Sequence, residues 1–159
     1  MLKKVLSPST CAACGFCCVF DREDSWELPF ITDELAGSSA ICGKVNLLKK
    51  GKGFVFAPEY GENGLFRCPM LTETGCSLGD DKPFCCRIWP FRVMIRDGEL
   101  LLTLCELCPE SAGLEKAFRS GKLGGDFVET VRDTAAKYPE IIHPFTEGYK
   151  IMRRLQICQ

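Results

Sequence analysis

The clearest pattern along the chain is a pair of apolar-rich runs of matching length. Phe91-Arg92-Val93-Met94-Ile95-Arg96 and Glu99-Leu100-Leu101-Leu102-Thr103-Leu104 flank Asp97-Gly98, and a two-residue Asp-Gly link between such runs predicts a β-hairpin. Beyond it the period changes to helical. Ser111 can cap a helix that carries Leu114 and Phe118 and stops near Gly121. After Gly124-Gly125, Asp126 with Glu129 three residues on has the form of a capping box. Phe127, Val131, Ala135 and Tyr138 then mark one face of a second helix, ended by Pro139. Upstream, residues 19–31 set Trp26, Leu28, Phe30 and Ile31 among acidic residues, as in extended chain, and Thr32 can cap a short turn through Asp33 and Leu35 up to Gly37. Phe54-Val55-Phe56 predicts a short strand stopped by Pro58, and residues 60–64 a turn.

Together these elements predict one α+β domain over residues 1–159. A loop-rich region and a small antiparallel sheet occupy residues 11–108, and a helical remainder of two or three short helices occupies 109–159. A length of 159 residues suffices for a real core.

Between residues 68 and 86 no such period is present. Glycine and proline punctuate the segment, and its recurring residue is cysteine: Cys68, Cys76, Cys85 and Cys86. The same holds for Cys11-Ala12-Ala13-Cys14-Gly15-Phe16-Cys17-Cys18, four thiols in eight residues. A packed core spreads its cysteines at helix or strand periods, whereas a C-x-x-C turn folds two thiolates onto one soft metal. With 46% hydrophobic and 26% charged residues the composition is that of an ordinary globular protein, so the 12 cysteines stand out. No apolar h-region follows Lys3-Lys4, and no run is long enough to span a membrane. The expected compartment is therefore cytoplasmic, where clustered C-x-x-C spacings favour metal over disulfides. A formal charge of −1 gives no reason to expect nucleic acid or anionic lipid as a partner.

Read in order, the blocks are C-x-x-C-x-x-C-C, then Cys68-Pro69-Met70-Leu71, then Gly75-Cys76-Ser77-Leu78, then Lys82-Pro83-Phe84-Cys85-Cys86-Arg87-Ile88-Trp89-Pro90. This combination resembles the CxxCxxCC family of small YkgJ-like proteins, described as a zinc- or iron-chelating domain. The resemblance covers residues 11–108. It implies Cys11, Cys14, Cys17, Cys18, Cys68, Cys76 and Cys86 as ligands, with Arg87 and Pro90 completing the last block. Lys82 stands where an arginine is usual, and Cys85 duplicates the thiol of Cys86. A related motif occurs in a flagellin lysine-N-methylase that looks to be an iron–sulfur protein; that likeness is to the motif alone and implies no substrate.

The predicted hairpin starts just after Cys86 and ends at Cys105-Glu106-Leu107-Cys108-Pro109, which brings a third thiol pair beside the second group. Cys105 and Cys108 therefore join the candidate ligands, together with Cys85. If Cys17-Cys18 and Cys85-Cys86 lie in extended chain, successive side chains point apart, and each pair either serves two sites or ligates through one member. One four-thiolate site or two remain open. All-thiolate ligation suits zinc and iron–sulfur alike. The C-x-x-C-x-x-C opening is that of the bacterial ferredoxin run, and Phe16, Val19, Phe20 and Trp89 can shield a cluster, so the expectation is a [4Fe–4S]-type cluster with zinc as the alternative.

Cys42 reads as a packed thiol, Cys158 as a free thiol near the end, and Lys49-Lys50-Gly51-Lys52-Gly53 as a solvated loop. His143, the single histidine, reads as a structural imidazole. No Ser/His/Asp set, catalytic carboxylate pair or phosphate loop stands out, so any activity would rest on the metal. The expected function is electron transfer or a cluster-dependent modification with a protein or small-molecule redox partner. The alternative is a zinc-stabilised interaction module without chemistry of its own.

Overall fold

The computed structural model describes residues 2, 12–61 and 63–156. Among these, residues 12–87 form one compact unit and residues 88–156 belong to another, so the division falls directly after Cys86-Arg87.

The first unit is built from strands of two to four residues. A helical turn at residues 12–14 leads through Gly15, at φ 60°, into a 3-10 turn, Phe16–Cys18. Strand β1 (Val19–Phe20) follows directly. Further on come β2 (Phe30–Thr32), helix α1 (Asp33–Ala36), β3 (Leu47–Lys50), β4 (Gly53–Phe56), β5 (Glu59–Tyr60) and β6 (Phe66–Arg67). Two small antiparallel sheets result, ordered β2-β4-β3 and β1-β6-β5. The Thr32 hydroxyl accepts the Leu35 N–H at 3.2 Å, and Asp33 and Glu34 sit in the first turn of α1, where the helix dipole favours negative charge. Strands this short hold together through what they bury. Phe20, Ile31, Ile41, Val55 and Phe56 form one cluster with Leu28, Cys68, Met70 and Leu78. The unit closes with a ribbon of β7 (Leu71–Thr72) and β8 (Gly75–Cys76), followed by helix α2 (Phe84–Ile88).

The second unit is organised on the hairpin. Strands β9 (Phe91–Arg96) and β10 (Glu99–Cys105) pair from Arg96↔Glu99 to Phe91↔Leu104. Asp97 and Gly98 both take positive φ, 53° and 78°, as a two-residue type I′ turn requires. Helices α3 (Ser111–Arg119) and α4 (Phe127–Lys137) follow, and the rings of Phe91, Phe118 and Phe127 meet at centroid separations of 5.2–6.4 Å. Leu101, Leu102, Leu104, Val93 and Met94 have almost no exposed surface. Burial of each such side chain contributes about 1.5–3 kcal/mol.

The α+β class agrees with the pattern of the chain, but several details differ. The segment 109–159 is not purely helical. Strand β12 (Tyr149–Leu155) pairs with β10, slipping register between Leu102 and Thr103, and β11 (Ile142–Pro144) runs parallel to β9, giving the order β11-β9-β10-β12. Helix α3 is entered at Glu110, one residue before Ser111. Asp126 is the N-cap of α4, yet its side chain makes no cap hydrogen bond; its own φ and ψ are helical, whereas a capping side chain needs extended backbone there. Cys42 is exposed, and the residue that enters the core is its neighbour Ile41.

Candidate metal centre

Ten of the twelve cysteines lie among the described residues, all as thiols. Cys11 and Cys158 lie outside them, so a ligand role for Cys11 concerns a residue that is not described.

The centre is assembled by backbone pairing. The 3-10 turn places Cys17 and Cys18 with their Sγ atoms 3.9 Å apart. This corrects the expectation drawn from extended chain: neighbouring residues on a tight helical turn do not point to opposite sides, and here the two thiols converge. The ladder then reaches across to the second cysteine group. Val19 is opposite Arg67 in the β1–β6 pair, and one step further the Cys68 N–H donates to the Cys18 carbonyl at 2.8 Å. Facing residues of an antiparallel pair share a side, so Cys18 and Cys68 are presented together. From Cys68 the chain turns back, with the Leu71 N–H donating to the Cys68 carbonyl at 3.0 Å, and enters the β7–β8 ribbon, in which Leu71 is opposite Cys76.

The electrostatics report the same convergence. The Cys17 contact draws the Cys18 thiol down. A hydrogen bond with Cys68, burial, and the nearby Cys68 and Cys76 outweigh it and push the Cys18 pKa from 9.0 up to about 12. The Cys18 thiol so placed resists ionisation because its thiolate would be buried beside other thiols, and a bound cation would reverse that relation.

The remaining candidates are distributed differently. Cys14 is exposed on the helical turn that precedes Cys17 and Cys18. Cys85 and Cys86 lie on α2, in helical rather than extended backbone, with the Cys86 and Arg87 N–H groups both donating to the Pro83 carbonyl. Cys105 ends β10 and Cys108 lies in the turn before α3; both are buried in the second unit. The Cys105 N–H donates to the Pro90 carbonyl at 3.0 Å, so the hairpin does return its far end to the residue before β9. His143 is buried on β11, within a strand.

By chemistry alone, the four sulfurs of Cys17, Cys18, Cys68 and Cys76 would suit a soft, thiophilic metal. Among the described residues no group of three or more His, Cys, Asp or Glu side chains is arranged so that it could hold a metal ion. One structural residue of the centre was not singled out from sequence. Gly75, immediately before Cys76, takes φ +112° and packs against Ala12. Its signal was the glycine of the Gly75-Cys76 block.

No family model, curated protein or solved structure matches the chain.

Proposed function

We propose that this chain is a metal-binding protein of the CxxCxxCC type, whose centre in the first unit is formed by Cys17, Cys18, Cys68 and Cys76. The observation that carries this reading is the meeting of Cys18 with Cys17 at 3.9 Å and with Cys68 across the β1–β6 pairing. The family assignment itself rests on the ordered motif blocks.

The separation of the vicinal pair bears on the metal. Two thiolates on one tetrahedral ion, each about 2.3 Å from it, stand about 3.8 Å apart. In a four-iron cluster, four cysteines serve four irons, and ligands of different irons stand farther apart. This one separation supports a single ion of the zinc type, and with it a metal-stabilised interaction module. Such a metal would add folding energy to a unit whose strands are short. A second reading, an iron–sulfur centre used in electron transfer or a cluster-dependent modification, is favoured by the x2 spacing of Cys11, Cys14 and Cys17.

Anaerobic purification followed by metal analysis, acid-labile sulfide assay and visible absorption separates the two. Stoichiometric zinc in a colourless, sulfide-free protein supports the first. Iron with matching sulfide and a brown chromophore supports the second. A reduced protein that takes up neither metal overturns both.

A further inference from the structure

We infer that Gly75 is a positioning residue of the thiol centre: the absence of a side chain there lets the segment 12–18 seat against the β7–β8 ribbon. This rests on the metal-binding reading above. At two places the segment and the ribbon approach closely. A Cβ placed on Gly75 would lie 3.1 Å from the Ala12 Cβ and 3.6 Å from its Cα, and a Cβ on Gly15 would lie 3.9 Å from Leu71 Cδ2. The second is ordinary packing. The first is tighter than van der Waals contact, and neither Ala12 atom belongs to a flexible side chain that could rotate away.

The consequence follows from where the two residues stand. Gly75 is buried and directly precedes Cys76, while Ala12 opens the helical turn that leads to Cys17 and Cys18. A methyl group added at Gly75 separates the two backbones by a few tenths of an ångström. The displacement falls between Cys76 and the vicinal pair, two parts of the proposed donor set. Metal–ligand distances tolerate about 0.2 Å, and changes to residues that orient ligands typically lower metal affinity roughly 10–100-fold. Gly75 also takes φ +112°, which an L-residue rarely adopts, so Gly75→Ala combines backbone strain with the steric effect. The two separate in a double variant. Ala12→Gly removes the atom that the new Cβ meets and leaves the strain at position 75 untouched.

The test is a zinc titration in competition with a chromophoric chelator, run on the reduced full-length wild type, Gly75→Ala, Ala12→Gly and the double variant, alongside thermal unfolding of the metal-free forms. Gly75→Ala is expected to bind zinc about 10–100-fold more weakly. The double variant is expected to recover most of that affinity while its metal-free melting temperature stays as low as that of Gly75→Ala. Should Gly75→Ala fail to fold, Ala12→Val adds bulk at the same contact without positive φ and is expected to show the same loss. Wild-type affinity in Gly75→Ala or Ala12→Val, or a double variant as weak as Gly75→Ala, overturns the inference. A wild type that binds no zinc instead overturns the zinc reading on which it rests.

Discussion

The Cys18 thiol makes the metal-free, reduced protein sensitive to alkaline pH in a direction that can be worked out. In the folded chain its pKa is pushed up to about 12, because the Cys17 contact that lowers it is outweighed by the Cys68 hydrogen bond, burial and neighbouring thiols. In the unfolded chain it titrates near its ordinary value of 9.0. Above that value the unfolded state has released a proton that the folded state still holds. The unfolded state therefore binds fewer protons, and stability falls as pH rises, by at most about 1.4 kcal/mol per pH unit. The contribution is fully present below pH 9 and declines towards pH 12. Between about pH 8 and pH 11 the loss amounts to roughly 2–3 kcal/mol at full shift. The assay is urea unfolding of chelator-stripped protein in a phosphine reductant at each pH, taken as the difference between wild type and Cys18→Ala. That difference cancels the lysines, the tyrosines and the thiols remote from Cys18. The wild type's advantage over the variant should shrink across this range. A difference that stays flat, or grows, refutes the placement of Cys18 among Cys17, Cys68 and Cys76. Added zinc should reverse the slope near neutrality, because its ligands must be thiolates.

Two further changes probe the second unit and one the first. Leu102→Ala removes a fully buried side chain from the middle of β10 and should cost about 2–5 kcal/mol, read as a lower urea midpoint. The Glu115 carboxylate accepts from Lys150 Nζ at 2.8 Å and Arg119 Nε at 2.9 Å, which hold its pKa below the usual value. The resulting stability is present above the unfolded pKa and lost as pH falls through the depressed one, so Glu115→Gln should flatten the acid limb of a stability–pH curve. Thr32→Ala removes the acceptor for the Leu35 N–H and should destabilise the first unit by about 1 kcal/mol, measured by chemical unfolding.

How far the sequence discloses the structure depends on the range of each interaction. The β9–β10 hairpin is legible because Asp97-Gly98 and the flanking runs state both its turn and its register. The buried face of α4 is legible because Phe127, Val131 and Ala135 repeat at helical spacing, and α1 because Thr32 caps locally. Strand β12 escaped notice: Tyr149, Ile151 and Leu155 alternate, but Met152 and two arginines interrupt the pattern, and the partner strand lies more than forty residues upstream. The cysteine spacing marked out the thiols, whereas the way they come together was not legible in it. Cys18 meets Cys68 through strands of two residues each, too short to leave any period. The convergence of Cys17 with Cys18 depends on a 3-10 turn that the extended reading of a vicinal pair excluded.

The register that sets Cys18 opposite Cys68 joins positions about fifty residues apart in the chain. A metal ion that bridged them would act on the denatured ensemble as a crosslink does. Closing a loop of that length removes chain entropy worth roughly 4 kcal/mol at room temperature. Part of the holo protein's resistance to unfolding would then reside in the restricted freedom of its unfolded chain, and chelation would release it.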